Sequence, residues 1–185
     1  MLYLKPANFE DLEKLHAFVA AEPADENGFI NDYHEVSFEE FKSIALPRMI
    51  DFSLGKNLPE GFVPETFYFL WSDEGEEGNP GDRASHKIVG EFRLRHHLNA
   101  ALENGSGHVG QFIKKEYRGL GYCTQGLKLL IEEARKIVPE NELYLHCNID
   151  NPASLKVMLK NGGLIHHKDP SGYYVRIKLR GYNYN

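Results

Sequence analysis

The stretch from His108 to Val138 constrains this chain more than any other part of it. "HVGQFIKK" reads as a strand, "EYRGLGYCTQG" as a glycine-rich turn, and residues 122–138 as an amphipathic helix. Leu127, Leu130, Ile131, Ala134, Ile137 and Val138 fall at i, i+3, i+4, i+7, i+10 and i+11, the stripe of a helix with one buried face. Gln125, Lys128, Glu132, Glu133, Arg135 and Lys136 take most of the other face, and Pro139 ends it. Glycine loses the most backbone freedom on folding, so a cluster of it marks a sharp turn or a close approach. At a helix N-terminus it leaves free N–H groups and the positive end of the helix dipole facing an anion.

Around this unit, strands and helices alternate. Residues 2–5 read as a short strand, and Asn8 caps a helix to about Ala21 with Asp11 in its first turn. Residues 22–29 read as loop. Ser37 opens a second helix through Phe41, Ile44 and Met49, with Glu40 in capping-box spacing and Pro47 against its last turn. Residues 55–65 are a Gly/Pro loop, 66–71 a strand, 72–85 a long exposed turn, 87–98 a longer strand and 99–107 a partly helical connection. "ELYLHCNI" is a strand, and Asn151 caps a helix through Leu155, Met158 and Leu159 that stops at Gly162–Gly163. "LIHHKD" and "YYVRIKL" form a closing hairpin across "PSG". Several strand pairs have short links, so the class is α/β or α+β, with a mixed sheet covered on both faces.

Composition bounds the function. A chain of 185 residues fits one domain with a real core, and a net charge of −6 argues against nucleic acid as a partner. No stretch approaches the ~20 apolar residues of a membrane span. The start, "MLYLKPANFEDLEKL", has acids where a signal peptide needs an apolar run. Cys123 and Cys147 make neither a disulfide framework nor a zinc site, so a reducing cytoplasm is expected. His96–His97 and His166–His167 are neighbours on strands, and alternation sends such neighbours to opposite faces, so no metal site is expected. The acids are uneven: seven Asp or Glu and no Lys or Arg lie from Glu22 to Phe41, and "DEGEE" covers 73–77. They are either a solvated face or an attraction for a cationic ligand.

Three glycine-rich anion motifs compete for the turn. A P-loop needs Gly-Lys-Ser/Thr, which does not occur. A dinucleotide fingerprint would begin at Gly119-Leu120-Gly121, but position 124 is Thr and "KKEYR" separates strand from turn. Arg-x-x-Gly-x-small fits through Arg118, Gly121 and Cys123. Here the chain resembles the GNAT superfamily of N-acetyltransferases. "GHVGQFIKKEYRGLGYCTQGLKLLIEEA" is similar to its acetyl-CoA-binding core, and "CNIDNPASLKVMLKNGG" to the family's next segment. "VGEFRLRHHLNAALENGSGHVG" resembles a bacterial subgroup of predicted acetyltransferases, and the likeness spans about residues 65–170.

The resemblance implies one N-acetyltransferase domain over 1–185. It implies a mixed, mostly antiparallel sheet of about six to seven strands with helices on both faces, splayed in the middle for acetyl-CoA. It assigns the pyrophosphate to Arg118, Gly119, Leu120, Gly121, Tyr122, Cys123 and Thr124, and the pantetheine to the edge of Phe112, Ile113 and Lys114, with Asn148, Asn151 and Ser154 across the slot. Successive N–H groups suit a pyrophosphate, Gly119 and Gly121 keep Cβ atoms out of its path, and Arg118 and Thr124 add a charge and a hydroxyl. Cys123 is then a packing residue. The tyrosine that protonates the leaving thiolate in many relatives falls at Met158, a clear departure. Candidate proton acceptors are His108, which opens the cofactor strand, then Glu91, with His146 also weighed. The plainer reading makes them structural, a strand histidine bonded to its neighbours and Glu91 paired with Arg93 or Arg95. The expected acceptor is a primary amine of a small cationic molecule or peptide, and a homodimer is the assembly to test. A catalytically degenerate acyl-CoA sensor of this fold and a nucleotide-binding α/β protein stay open.

Overall fold

In the computed structural model, residues 1–73 and 85–180 are described. In chain order they form β1 (Leu2–Pro6), α1 (Leu12–Ala21), β2 (Asp25–Glu26), β3 (Phe29–Ile30), α2 (Phe38–Glu40), α3 (Leu46–Ser53), β4 (Glu65–Ser72) and β5 (Lys87–Arg95). Then come α4 (Ala100–Glu103), β6 (Val109–Ile113), α5 (Tyr122–Ile137), β7 (Glu142–Asn148), α6 (Pro152–Lys160), β8 (Leu164–Lys168) and β9 (Gly172–Lys178). The mixed architecture, antiparallel strands with helices on both sides, is the one expected. The single six-to-seven-stranded sheet is not. An antiparallel four-stranded sheet, β1-β4-β5-β6, stands beside an antiparallel three-stranded one, β7-β9-β8.

The two sheets meet at one isolated bridge, Gly107 to Leu145, where the His108 N–H donates to the Tyr144 carbonyl at 2.8 Å. Gly107 lies at φ +68°, and a Cβ built there would sit 2.6 Å from the Tyr144 carbonyl carbon and closer still to its oxygen. Two backbones touch here because no side chain stands between them. Past this point β6 and β7 separate, and the edge of β6 away from β5 has no ladder partner among the described residues.

Each face of the fork has its own core. Leu127, Leu130, Ile131 and Ala134 of α5 pack with Phe92, Leu94, Val109, Ile113, Leu143, Leu145 and Met158. On the opposite face, Leu15, Phe18 and Val19 of α1 and Leu46, Met49 and Phe52 of α3 cover Phe67, Phe69, Trp71 and Phe112. The i, i+3, i+4 stripe read from the sequence is thus the buried face of α5. Gly126 lets that helix close on the sheet, since a Cβ there would be 2.5 Å from Phe92 Cε2.

Two local expectations change. The stretch read as loop, residues 22–29, holds all but the last residue of the β2–β3 hairpin, with Asn27 at φ 55° and Gly28 at φ 84°, the two left-handed positions of a type I′ turn. The second helix does not fail at Pro47. Ser37 caps it as expected, and a π-helical stretch, Phe41–Ala45, precedes Leu46. Pro47 then follows directly on the π-helical stretch, whose wider i→i−5 bonding includes the Leu46 N–H to the Phe41 carbonyl, and the helix runs on to Ser53. Residues 74–84, which hold most of the expected turn and of the second acidic cluster, lie outside the described residues. No helix among the described residues is long and apolar enough to cross a membrane.

Candidate active site

The glycine turn lies at the open end of the fork. After β6 the chain makes a 3-10 turn at Lys115–Tyr117, and Gly119 (φ 78°) and Gly121 (φ 81°) then turn it into α5. Gly121 is the N-cap and supplies no side-chain cap; the Gln125 N–H donates to its carbonyl at 3.1 Å. The helix thus begins on backbone N–H groups without a side-chain cap, the end of a helix that favours an anion. A Cβ at Gly119 or Gly121 would meet nothing within 4 Å, so both face open space. Leu120 between them is exposed, and Tyr122 stacks on Tyr117 with ring centroids 6.1 Å apart. Burial pushes the Cys123 thiol up to about 12, which suits a packing residue.

The limbs of the fork carry the remaining expected residues. Phe112 and Ile113 are buried on opposite faces of β6, with the strand edge between them open toward β7; Lys114 comes next, 3.3 Å from Glu22. Asn148 ends β7. The Asn151 side chain accepts from the Ser154 N–H at 3.0 Å and caps α6 beside it. One residue not singled out in the sequence joins the two sides: Gln111 Nε2 on β6 donates to Ser154 Oγ at 3.1 Å. Its Oε1 is buried without a partner. A strand glutamine carries no local signal of this kind, because the contact spans 43 positions. Arg118 is also placed differently from expectation. Its Nε donates to the Ile113 carbonyl at 2.9 Å, and NH1 and NH2 donate to both carboxylate oxygens of Glu26, each at 2.7 Å.

The whole chain but its end matches one family model, the acetyltransferase (GNAT) domain, over residues 1–163. The chain belongs to the GNAT acetyltransferase family. No curated protein sequence matches it. Among solved structures, a ribosomal L7/L12 alpha-N-protein acetyltransferase, RimL, in complex with coenzyme A superimposes with a TM-score of 0.60 at 16% identity, covering 95% of this chain and 90% of that one. The Campylobacter jejuni N-acetyltransferase PseH in complex with acetyl coenzyme A gives 0.55 at 17%, covering 96% and 99%. A chimera of the Vibrio cholerae spermidine N-acetyltransferase SpeG with hSSAT gives 0.54 at 16%, covering 96% and 95%. At such identities the likeness is one of fold.

Within this GNAT domain the groups weighed for proton transfer sit in different settings. His108 is fully buried; its Nδ1 accepts from the Tyr144 N–H at 2.9 Å, and its Nε2 lies 3.4 Å from Glu140 Oε2. Burial holds its pKa below the usual imidazole value, and Glu140 only partly offsets that. Glu91 is 2% exposed on the α1 face of β5, directly opposite Phe112, and accepts from Arg93 Nε at 2.7 Å. Burial raises its pKa more than the guanidinium lowers it. His146 Nε2 is buried without a partner against Gly172 and the Tyr174 ring, and burial lowers its pKa. Met158 is 2% exposed within the α5 core and offers no proton. A bulge at Ile165/His167 overrides strand alternation, so the His166 and His167 rings meet with Nδ1 atoms 3.0 Å apart instead of pointing to opposite faces.

Proposed function

We propose that residues 1–185 form one N-acetyltransferase domain that moves an acetyl group directly from acetyl-CoA to a primary amine of a small cationic molecule or peptide. The observation that carries this reading is the fork: a strand edge with no ladder partner among the described residues, running into a glycine turn whose Gly119 and Gly121 face open space at the start of α5. The residues present fit the cofactor. The first N–H groups of α5 suit a pyrophosphate, and the free edge at Phe112–Lys114 suits an amide-rich arm as an added strand. The unpartnered Gln111 Oε1 inside the fork needs a hydrogen-bond donor, which such an arm has.

An amine with a pKa of ~10.4 must lose its proton first, at about 4.6 kcal/mol at pH 7. Glu91 is the acceptor that the geometry favours, through water, since its raised pKa suits proton uptake and it adjoins Phe112 of the cofactor strand. His108 has its Nδ1 lone pair committed to Tyr144, so it holds the fork closed at its root. The cationic preference rests on less than the sequence promised. Of the seven acids from Glu22 to Glu40, Glu22, Glu26 and Asp32 already face Lys114, Arg118 and Arg93.

The test is incubation with acetyl-CoA and spermidine, kanamycin, a lysine-containing peptide and a peptide with a free N-terminal serine, monitoring free thiol. Thiol release with any amine supports transfer. Tight coenzyme A binding with no turnover favours the second reading, a catalytically degenerate acyl-CoA sensor, which Met158 motivates by standing buried where a phenol would donate.

A further inference from the structure

The β2–β3 hairpin stands across the fork. At its tip, Gly28 lies against Asn148, the last residue of β7; a Cβ at Gly28 would be 3.1 Å from Asn148 Nδ2. One residue on, Phe29 packs on Phe112 of β6 with ring centroids 5.4 Å apart, and the Arg93 guanidinium covers its ring at 4.8 Å. The hairpin thus touches both limbs, on the α1 face. The helix start that would take the pyrophosphate belongs to α5, whose core lies on the opposite face. An amine reaching a thioester in the fork must come from the side the cofactor leaves free, and there the hairpin is the wall.

Beside the packing of Phe29, a two-pronged ion pair ties the hairpin to the glycine turn. Hairpins of two-residue strands are weak alone, and this one is held at Glu26 by Arg118, the residue that opens the glycine turn. Two parallel N–H···O bonds fix direction as well as distance, which a lysine would not do. The guanidinium is itself oriented by its Nε bond to the Ile113 carbonyl. Three of its five N–H groups are engaged with protein, so the cation expected to serve phosphate is committed to the hairpin.

Resting on the acetyltransferase reading, we propose that Arg118 and Glu26 are positioning residues for the amine: the pair sets the hairpin wall of the acceptor site from the cofactor turn. The experiment compares wild type, Glu26→Gln, Arg118→Lys and the swap Glu26→Arg/Arg118→Glu. It measures hydrogen exchange over residues 25–30, coenzyme A affinity by calorimetry, and steady-state kinetics with the panel amine turned over fastest. In Glu26→Gln the hairpin amides exchange faster and kcat/KM for the amine falls about tenfold, a modest factor because the pair is partly exposed. Coenzyme A affinity stays within about twofold, and the swap recovers hairpin protection. Wild-type exchange and kinetics in Glu26→Gln overturn the proposal. Tighter coenzyme A binding in that variant also overturns it, since Glu26 would then be a competitor for a phosphate-binding Arg118. Wild-type turnover with an indifferent Glu26→Gln defeats this inference alone, whereas wild type that binds no coenzyme A defeats the acetyltransferase reading.

Discussion

Gly107→Ala, set against Gly119→Ala, isolates the contact at the root of the fork. Both glycines sit in the left-handed region, at φ +68° and +78°. An alanine costs about 1–2 kcal/mol in that conformation at either site, less about 0.4–1 kcal/mol for the freedom alanine removes from the unfolded chain. The backbone term is therefore common to both. The surroundings are not: a Cβ at Gly119 meets nothing within 4 Å, whereas one at Gly107 runs into the Tyr144 carbonyl, 2.6 Å from its carbon. That group is backbone and cannot rotate away. Relieving the overlap must lengthen the 2.8 Å bond from the His108 N–H to the Tyr144 carbonyl, which is worth about 0.5–1.5 kcal/mol, within an overpacking cost of about 1–3 kcal/mol. Gly107→Ala should thus be about 1–3 kcal/mol less stable than Gly119→Ala, and for a chain of this size each kcal/mol moves Tm by about 2–4 °C. Paired thermal and urea unfolding measures the difference. Equal Tm values would refute the claim that backbone contact at Gly107 joins the two sheets.

Three further outcomes are expected. Gly121→Val should weaken coenzyme A at least about tenfold, or about 1.4 kcal/mol, while the fold survives, because the new side chain projects into open space where the ligand belongs; calorimetry and circular dichroism read the two parts. Glu91→Gln should lower kcat by about 10²–10⁴-fold with coenzyme A affinity unchanged, and full activity would remove Glu91 from proton transfer. Burial depresses the His108 pKa, so the unfolded chain takes up this proton before the fold does. Its contribution is fully present above the unfolded value of about 6.5 and is lost as pH falls below it. In His108→Asn, whose Oδ1 can still accept from the Tyr144 N–H, the decline of Tm between pH 7.5 and 5.5 should flatten; an unchanged slope would contradict the buried neutral imidazole.

The sequence is most legible where chemistry is local. The stripe of α5, the Asn151 cap and the closing β8–β9 hairpin can each be read within a few residues, because periodicity and capping act at short range. The glycine turn is legible for the same reason, and the structure adds that Gly119 and Gly121, flanking Leu120, are left-handed. The hairpin at Asp25–Ile30 carries its own signal, Asn27-Gly28, but two-residue strands are too short for alternation to show, and the surrounding acids dominate that stretch. The role of Arg118 is beyond reach: its partner lies 92 residues away, and an arginine beside a phosphate turn looks the same whether it serves phosphate or carboxylate. The division of the sheet is hidden too. It depends on how β6 and β7 approach each other, and a single glycine at 107 does not announce that its neighbour is a backbone carbonyl from another strand.

The open edge of β6 has a thermodynamic consequence for handling the protein. Among the described residues the outer edge of β6 has no ladder partner, and a molecule that pairs with it would bind the folded chain and not the unfolded one. Stability then rises with ligand supply, by about 2.7 kcal/mol at a hundred times Kd. A melting temperature measured with such a ligand present would then depend on its concentration. A ligand that pairs with this edge would raise resistance to heat and to proteolysis together.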